Sequence, residues 1–403
     1  MSHPSQQDSR RALSLSTLAF TICFAVWTIF SIIGIQISQQ LGLSETQFGL
    51  LVGLPILTGS LSRIVLGIAT DRLGGRLVYT LNMLSAALAT LLLSWATTYP
   101  QMLLAALGVG LAGGSFAVGV AYVSRFYRDA QQGTALGIFG VGNVGAAVTK
   151  FVAPFVMVAV GWQATAQIWA LALAVTAVLF WFLSKDDPVT AARRGSAASR
   201  RSLRAEFAPL RNLQVWRFSA YYFFAFGAFV ALALWLPHYL IGVYGFDVKV
   251  AGMVGAAYSI PASIFRAYGG VLSDRIGARR VLYATFAVSL AATAILSIPA
   301  GVTLPVFLVV IFILGFVMSL GKAAVYKHIP SYYPHNVGAV GGLVGMIGGL
   351  GGFALPLLFG WLKDQTGLWS SCFMVLFVLV AACALWMHAS VRRMGRPAAM
   401  QAA

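Results

Sequence analysis

The sequence predicts an all-α membrane protein with twelve transmembrane helices, and two observations carry this prediction. Of the 403 residues, 59% are hydrophobic and only 9% carry a charged side chain, whereas a soluble domain has about 25% charged residues. Several apolar runs are also longer than the roughly 20 residues that an α-helix needs to cross the hydrocarbon core of a bilayer. This composition excludes an ordinary cytosolic enzyme.

The predicted helices follow the apolar runs between glycine, proline and charged breaks. In the first half of the chain they span residues 13–37, 45–69, 76–97, 100–126, 132–159 and 163–184. In the second half they span residues 214–241, 248–272, 279–300, 303–329, 336–361 and 368–391. The segment Ser44-Glu45-Thr46-Gln47 has the pattern of a capping box at the start of the second helix. The first run is too long for a signal peptide and lacks a small-residue cleavage site, so we predict an uncleaved first span.

The distribution of basic residues among the loops predicts how the protein is oriented in the membrane. The formal net charge is +17, but nucleic-acid binding needs a basic patch on a soluble face, and here the bases lie mainly in short loops. If both termini are cytoplasmic, only Lys249 and Lys363 lie outside, as the positive-inside rule requires. We therefore predict a multi-pass protein of the inner (plasma) membrane with cytoplasmic N and C termini. The basic stretch 185–213 is then a cytoplasmic linker that touches anionic lipid headgroups.

An internal repeat divides the chain into two halves. Arg63, followed after seven residues by Asp71-Arg72-Leu73-Gly74-Gly75-Arg76, recurs as Arg266 followed after seven residues by Asp274-Arg275-Ile276-Gly277-Ala278-Arg279. Two sets of six helices in the same topology are parallel repeats, related by an axis along the membrane normal. We predict an N-terminal bundle (1–184), the linker (185–213) and a C-terminal bundle (214–403).

The repeated segment resembles the loop signature of the major facilitator superfamily, which lies between the second and third helices of that fold. The resemblance covers nearly the whole chain and implies two six-helix bundles around a substrate site at the midplane. It also implies a gating role, by pairing across the cytoplasmic face, for Asp71, Arg72, Asp274 and Arg275. The alternative, a simple charged turn, does not explain the duplication.

Two arginines inside the predicted membrane core indicate the substrate class. Arg63 lies eight residues before Asp71, which on a helix is a rise of about 12 Å and close to the midplane. Arg266 lies at the same depth in the other half, and a charge at that depth is functional by default. The acidic residues fall at helix ends, in loops or in the linker: Asp8, Glu45, Asp71, Asp129, Asp186, Asp187, Glu206, Asp247, Asp274 and Asp364. Two arginines without a carboxylate favour an anion, the alternative being structural arginines that donate to carbonyl groups.

Two glycine-rich helices carry a more specific resemblance, to the NarK-like nitrate/nitrite porters. Gly140-Val-Gly142-Asn143-Val-Gly145, followed by Pro154, resembles the first nitrate signature of that family, and residues 345–356 resemble the second. The resemblance implies that Arg63 and Arg266 clamp the anion. It further implies that the anion is framed by three aromatic residues and hydrogen-bonded by one amide: Phe116, Tyr222, Phe226 and Asn143. For each aromatic residue alone, packing in the core is the better interpretation.

The glycines of these two helices have a role of their own. We expect close helix packing and sliding during gating at Gly142, Gly145, Gly348 and Gly349. A reading of residues 140–145 as a dinucleotide-binding loop is rejected, because no strand precedes them and they lie within a membrane span.

The chemistry of nitrate fits two arginines, because planar guanidinium groups match the edges of a flat oxyanion in two-pronged hydrogen bonds. An anion that enters a cell moves uphill by about 2.3 kcal/mol per 100 mV, so uptake needs proton symport or exchange. Without a midplane carboxylate, the candidate proton carriers are Lys322 first and Lys150 second, although each could also line the path or snorkel to an interface. The surroundings of both lysines resemble the proton-symport subgroup. We predict nitrate/proton symport, with nitrite left open as a second substrate and nitrate/nitrite antiport as the alternative.

Other functional classes remain as alternatives. A carrier of another small monovalent anion, such as formate, would use the same arginines. A cation or drug exporter is disfavoured by midplane arginines, and an anion sensor by the lack of a signalling domain. The sequence has no P-loop, metalloprotease or nucleophile-elbow pattern and no metal-ligand spacing around Cys23, Cys372 or Cys383. We therefore expect no enzymatic activity, cofactor, metal or nucleic-acid partner, and a functional monomer in contact with membrane lipids.

Overall fold

The computed structural model describes residues 5–127, 129–187, 208–299, 302–333 and 337–394, and all regular structure in these ranges is helical. Eleven segments of the described chain are long and apolar enough to cross a membrane. They are Gln6–Leu41, Glu45–Thr70, Gly75–Leu93, Tyr99–Ser124, Thr134–Leu183, Leu213–Tyr244, Val248–Ile276, Ala278–Leu296, Leu304–Ile329, Val340–Thr366 and Ser371–Arg393. The predicted all-helical membrane architecture is confirmed.

The segment Thr134–Leu183 covers the region of two predicted spans. It is 50 residues long, about twice the length that crosses a bilayer. Its backbone leaves the helical conformation at Gly161, where φ is +83°, a region that favours glycine because it has no Cβ. This break falls between the predicted helices 132–159 and 163–184.

The helices are numbered along the chain. In the first half they are α1 (Gln6–Trp27), α2 (Phe30–Leu41), α3 (Glu45–Leu73), α4 (Gly75–Leu93), α5 (Tyr99–Val109), α6 (Ser115–Ser124), α7 (Asp129–Gly140) and α8 (Gly145–Leu183). In the second half they are α9 (Leu213–Tyr222), α10 (Phe229–Tyr244), α11 (Val248–Ile264), α12 (Arg266–Ile276), α13 (Ala278–Leu296), α14 (Leu304–Tyr332), α15 (Val337–Thr366) and α16 (Ser371–Met394).

Helix ends agree with the sequence where a local signal exists. The predicted capping box is confirmed: Gln47 N donates to Ser44 Oγ (3.2 Å), and Ser44 N donates to Gln47 Oε1 (2.9 Å). The prediction that the first helix begins at residue 13 and ends at 37 was wrong. It begins at Gln6, capped by Ser5, because the polar first turns are held by contacts within the protein, and α2 runs on to Leu41, before Gly42.

Four spans are interrupted beside a predicted site residue, and the first span is also interrupted, at Thr28–Ile29 between α1 and α2. A 3₁₀ turn (Gly110–Gly114) precedes Phe116, and a second one (Val141–Val144) contains Asn143. A π-helical turn (Phe223–Ala228) contains Phe226, and the span of α11 and α12 breaks at Phe265, directly before Arg266. Mid-helix 3₁₀ and π segments often occur at functional sites, so the backbone indicates the same region as the sequence motifs.

The two halves of the chain are closed against each other at one end of the bundle, here called the distal face. This end is opposite residues 184–187 and is where α3 begins and α15 ends. Asp364 of α15 accepts hydrogen bonds from Glu45 N (3.1 Å), Thr46 N (2.8 Å) and Thr46 Oγ1 (2.5 Å) of α3. Glu45 Oε2 also pairs with His238 Nε2 of α10 at 2.7 Å.

Next to the hydrogen bonds of Asp364 and Glu45, glycines allow the backbones of α3 and α15 to touch. A Cβ on Gly53 would lie 2.8 Å from the carbonyl oxygen of Phe353 and 3.3 Å from its Cα. A Cβ on Gly49 would collide with the carbonyl of Pro356. The distal face is thus closed by direct backbone packing between the two halves.

We expect Asp364→Ala to loosen this closure. Removing an N-capping carboxylate costs about 1–2 kcal/mol, which corresponds to a 5- to 30-fold change in an equilibrium. Hydrogen exchange followed by mass spectrometry should therefore show 5- to 30-fold faster exchange in the peptide that contains Glu45 and Thr46. The matched control is Asp247→Ala, because Asp247 caps its own helix α11 through Lys249 N and Val250 N. Equal exchange in the wild type and in Asp364→Ala would show that this contact does not hold the face closed.

Candidate anion-binding site

Arg63 lies in the interior of α3 and is only 6% exposed. Its Nη1 donates to the carbonyl oxygen of Gly345 in α15 at 2.8 Å, which links the two halves of the chain. A Cβ on Gly345 or on Gly349 would lie 3.6 Å from this Nη1, so the guanidinium packs against these two glycines. Its Nε is buried and has no hydrogen-bond partner, which leaves a donor available to a ligand.

Arg266 is the first residue of α12 and is half-buried. Its Nη1 is likewise buried without a hydrogen-bond partner. The side chain extends to the first half of the chain, where a Cβ on Gly140 would lie 3.9 Å from its Cδ, Nε and Nη1. The first glycine of the predicted signature therefore leaves room for the arginine of the other half.

One aromatic ring brings the two arginines together. The ring centroid of Phe116 lies 5.4 Å from Cζ of Arg63 and 5.9 Å from Cζ of Arg266. Both distances are within the range of cation–π attraction. Two guanidinium groups that were predicted from a sequence repeat thus share a single side chain.

The remaining aromatic residues form a continuous wall around these arginines. Phe226 lies 5.5 Å from Cζ of Arg63 and stacks on Tyr222, with a centroid distance of 5.1 Å and an interplanar angle of 9°. Tyr222 contacts Tyr326 edge to face at 4.9 Å, and Tyr326 lies 5.6 Å from Cζ of Arg266. The predicted Phe116, Tyr222 and Phe226 therefore lie in one cluster with both arginines.

Two aromatic residues of this cluster were missed by sequence reasoning. Trp27 lies 5.8 Å from Cζ of Arg63 and donates its Nε1–H to the carbonyl oxygen of Pro55 at 2.8 Å. Tyr326 donates to the carbonyl oxygen of Gly341 at 3.1 Å. Tyr326 lies four residues after Lys322, in a stretch already compared with the symporters, and that proximity was a usable signal.

Asn143 is 1% exposed, and its Nδ2 has no hydrogen-bond partner. It lies three residues after Gly140, on the segment that approaches Arg266. An unpartnered amide donor in an apolar interior is costly, and a bound oxyanion would satisfy it. Its contact with substrate stays a prediction.

The four predicted packing glycines all lie against neighbouring elements. Gly142 faces Phe20, and Gly145 faces the backbone of α1, with a hypothetical Cβ 2.7 Å from Ala25 N. Gly348 lies against Tyr222, and Gly349 lies against Ser60 and Arg63. Larger side chains at these positions would displace the aromatic wall or the helices that carry it.

The predicted gating residues lie at the end of the bundle opposite the distal face. Arg72 and Arg275 are exposed, and Asp274 pairs with Lys327 of its own half. The side chain of Asp71 lies outside the described residues. Pairing of these charges across the two halves stays a prediction for a state in which this end is closed. Lys327 remains half-exposed while it pairs with Asp274.

Neither candidate proton carrier snorkels to an interface, so that alternative was wrong for both. Lys150 is fully buried, and its Nζ donates to Ser259 Oγ at 2.6 Å and to the carbonyl oxygen of Ala146 at 3.4 Å. Lys322 is fully buried as well, and its Nζ lies 3.6 Å from the ring centroid of Phe229. Both lysines are buried instead of reaching an interface, because each ammonium contacts protein oxygen or an aromatic ring inside the bundle.

The ion pairs given for the described residues involve neither Arg63 nor Arg266. Within the described part of the chain, the acidic side chains with ion-pair partners bind other cations: Asp8 with Lys185, Asp187 with Arg125, Glu45 with His238, and Asp274 with Lys327. A buried cation without a counter-ion is unfavourable. A bound anion at this cluster would supply the missing charge.

Comparison with known proteins identifies the family. The protein-family model described as Major Facilitator Superfamily matches residues 15–254 and 244–402 of this chain. The chain is 43% identical to "Probable nitrate/nitrite antiporter NarK1" of Thermus thermophilus, covering 96% of this chain and 93% of the relative. It is 32% identical to "Nitrite extrusion protein" of Bacillus subtilis (strain 168), covering 93% of this chain and 94% of that relative. It is 31% identical to "Probable nitrate transporter NarT" of Staphylococcus haemolyticus (strain JCSC1435), covering 88% and 90%.

Solved structures show the same fold at low identity. A bacterial homologue of the human lysosomal transporter Spinster, in an inward-facing and unoccupied conformation, superposes with a TM-score of 0.74 at 17% identity, covering 96% of this chain and 98% of that one. A variant of the nucleoside transporter NupG gives a TM-score of 0.73 at 16% identity, covering 94% and 99%. The chain is therefore a transporter and not an enzyme, and it belongs to the NarK-like nitrate/nitrite porter family of the major facilitator superfamily.

Proposed function

We propose that this protein transports nitrate, and also nitrite, across the inner membrane by alternating access, with Arg63 and Arg266 as the anion clamp. The single observation that carries the proposal is the pair of guanidinium groups on the Phe116 ring, each with a buried and unpartnered donor. A small planar oxyanion can accept two parallel hydrogen bonds from each fork. The aromatic rings beside the two arginines can contact the faces of a flat ion.

We further propose twelve spans with both termini in the cytoplasm. The chain then consists of an N-terminal bundle (1–184), a cytoplasmic linker (185–213) and a C-terminal bundle (214–403). The break at Gly161 and the excess of basic residues at the linker end support this topology. Most of the linker lies outside the described residues. In this orientation the closed distal face is the outer face, and its opening separates Asp364 from α3 and Lys150 from Ser259.

The coupling ion in this proposal is the proton. Entry of a monovalent anion into a negative interior needs a driving force of about 2.3 kcal/mol per 100 mV. Lys322 and then Lys150 are the candidate groups that exchange a proton during the cycle, because both are amines buried inside the bundle and no midplane carboxylate was found in the sequence. Antiport is the second candidate, because one relative with 43% identity is named a nitrate/nitrite antiporter.

The test uses purified protein in liposomes with an acid exterior, no internal nitrite and a recorded internal pH. Symport predicts nitrate uptake with simultaneous internal acidification. Uptake only after nitrite is loaded inside would establish exchange. Uptake of formate but not nitrate would establish another anion as the substrate, and anion binding without flux would establish a sensor.

The lysine assignment makes its own prediction. We expect Lys322→Gln to abolish uptake driven by the pH gradient, while nitrate counterflow between equal pH values continues. Lys150→Gln is measured alongside it as the second candidate. If both variants keep the wild-type ratio of protons to nitrate, neither lysine carries the proton.

A further inference from the structure

The span that carries Arg266 is broken directly before it. Helix α11 ends at Ile264, Phe265 has φ −70° and ψ 0°, and Arg266 begins α12. Pro261, inside the last turn of α11, cannot donate an amide to the helix ladder. The direction in which Arg266 leaves the backbone is therefore set at this break.

A buried lysine from another helix stands at the break. Nζ of Lys322 in α14 donates to the carbonyl oxygen of Ala262 at 2.5 Å. In a continuous α-helix this carbonyl would accept the N–H of the residue four positions later, which is Arg266. The ammonium of Lys322 thus binds the backbone acceptor that the Arg266 amide would otherwise use.

The surroundings of Lys322 keep its ammonium at that carbonyl. The side chain is fully buried, and its Nζ lies 3.6 Å from the ring centroid of Phe229. The ring of Phe229 contacts Phe226 of the aromatic wall, with a centroid distance of 6.4 Å. Lys322 thus binds the backbone that precedes Arg266 and contacts the ring that packs on Phe226.

We propose that Lys322 is a positioning residue for Arg266: it stabilises the break between α11 and α12 and so holds the guanidinium in the direction that binds the anion. This inference rests on the proposed function and deepens it. An apolar side chain at position 322 would leave the Ala262 carbonyl without a donor in an apolar interior, which is unfavourable. The backbone would then gain by closing the helix through the Arg266 amide, and the guanidinium would turn away from Phe116.

Isothermal titration of detergent-purified protein with sodium nitrate tests the proposal. We expect Lys322→Met to weaken nitrate binding about tenfold or more, and Lys322→Gln, which keeps an N–H donor, to remain within about threefold of wild type. A pure charge effect predicts equal losses in the two variants and would overturn positioning. Lys249→Met, at the start of α11 and far from the break, is the matched control and should bind as wild type. Melting curves of each variant exclude unfolding as the cause.

A double-mutant cycle then identifies the partner. In an Arg266→Lys background, Lys322→Met should weaken binding less than about threefold, because the group that it positions is gone. In an Arg63→Lys background the full tenfold loss should remain. Equal losses in both backgrounds would refute a specific link to Arg266. If the wild type binds neither nitrate nor nitrite, the proposed function fails, and the same cycle with formate decides the positioning role.

Discussion

Replacement of Arg63 by lysine should reduce nitrate uptake about 100-fold. Arg63 already uses Nη1 to bind the carbonyl of Gly345, and its Nε is left for the substrate. A lysine has one ammonium group, which cannot keep the Gly345 contact and also present a planar fork to the anion. A lost hydrogen bond to a charged group costs about 1.5–3 kcal/mol, which corresponds to a 10- to 150-fold loss.

Initial rates of nitrate uptake into liposomes, over a range of concentrations, measure this effect. Arg392→Lys is the matched control, because Arg392 is exposed in the last turn of α16 and should tolerate the change. Normal transport by Arg63→Lys would show that a two-pronged clamp is the wrong description of the site.

Gly53→Leu should stop turnover almost completely by preventing closure of the distal face. The Cβ alone would lie 2.8 Å from the carbonyl of Phe353, and backbone atoms cannot swing aside as side chains can. Overpacking costs about 1–3 kcal/mol or more, and 3 kcal/mol changes a conformational equilibrium more than 100-fold. We expect less than about 1% of wild-type uptake, with the protein still folded and open at the distal face.

Distances between spin labels at Thr97→Cys and Thr366→Cys check this expectation. Both positions are exposed at the distal face, one in each half, and the native cysteines are buried. The distance should lengthen in Gly53→Leu. It should not change in Gly67→Leu, the control in the same helix, where a Cβ would meet no atom within 4 Å. Loss of uptake without lengthening would mean that Gly53 matters for a reason other than closure.

The sequence was most informative where a charge interrupts an apolar span. Arg63 and Arg266 could be paired from the amino-acid sequence because they recur with their flanking signature, and the fold brings both to the Phe116 ring. The cost of burying a charge is so large that such residues are rarely incidental. The fold class could also be predicted, since a run of about 20 apolar residues has the length of a helix that crosses a bilayer.

Contacts made through the backbone could not be predicted in this way. The acceptors of Lys322 and Arg63 are the carbonyls of Ala262 and Gly345, and every residue has such a carbonyl. Trp27 was missed because an aromatic residue in an apolar span normally packs in the core, and only the fold shows that it reaches Arg63. The pairing of Glu45 with His238 joins positions far apart in sequence, for which a single chain offers no pattern.

The cap that Asp364 places on α3 has a consequence for speed. When the two halves separate, the amides of Glu45 and Thr46 lose the carboxylate of Asp364, whose side chain is exposed to water even in the closed structure. Water then replaces each lost hydrogen bond, and the net exchange of such bonds is worth only about 1 kcal/mol apiece. A seal built in this way is therefore shallow in free energy. A carrier that must open and close once for every ion it moves needs a seal of this kind, because a deep energy well at either end of the cycle would slow every turnover.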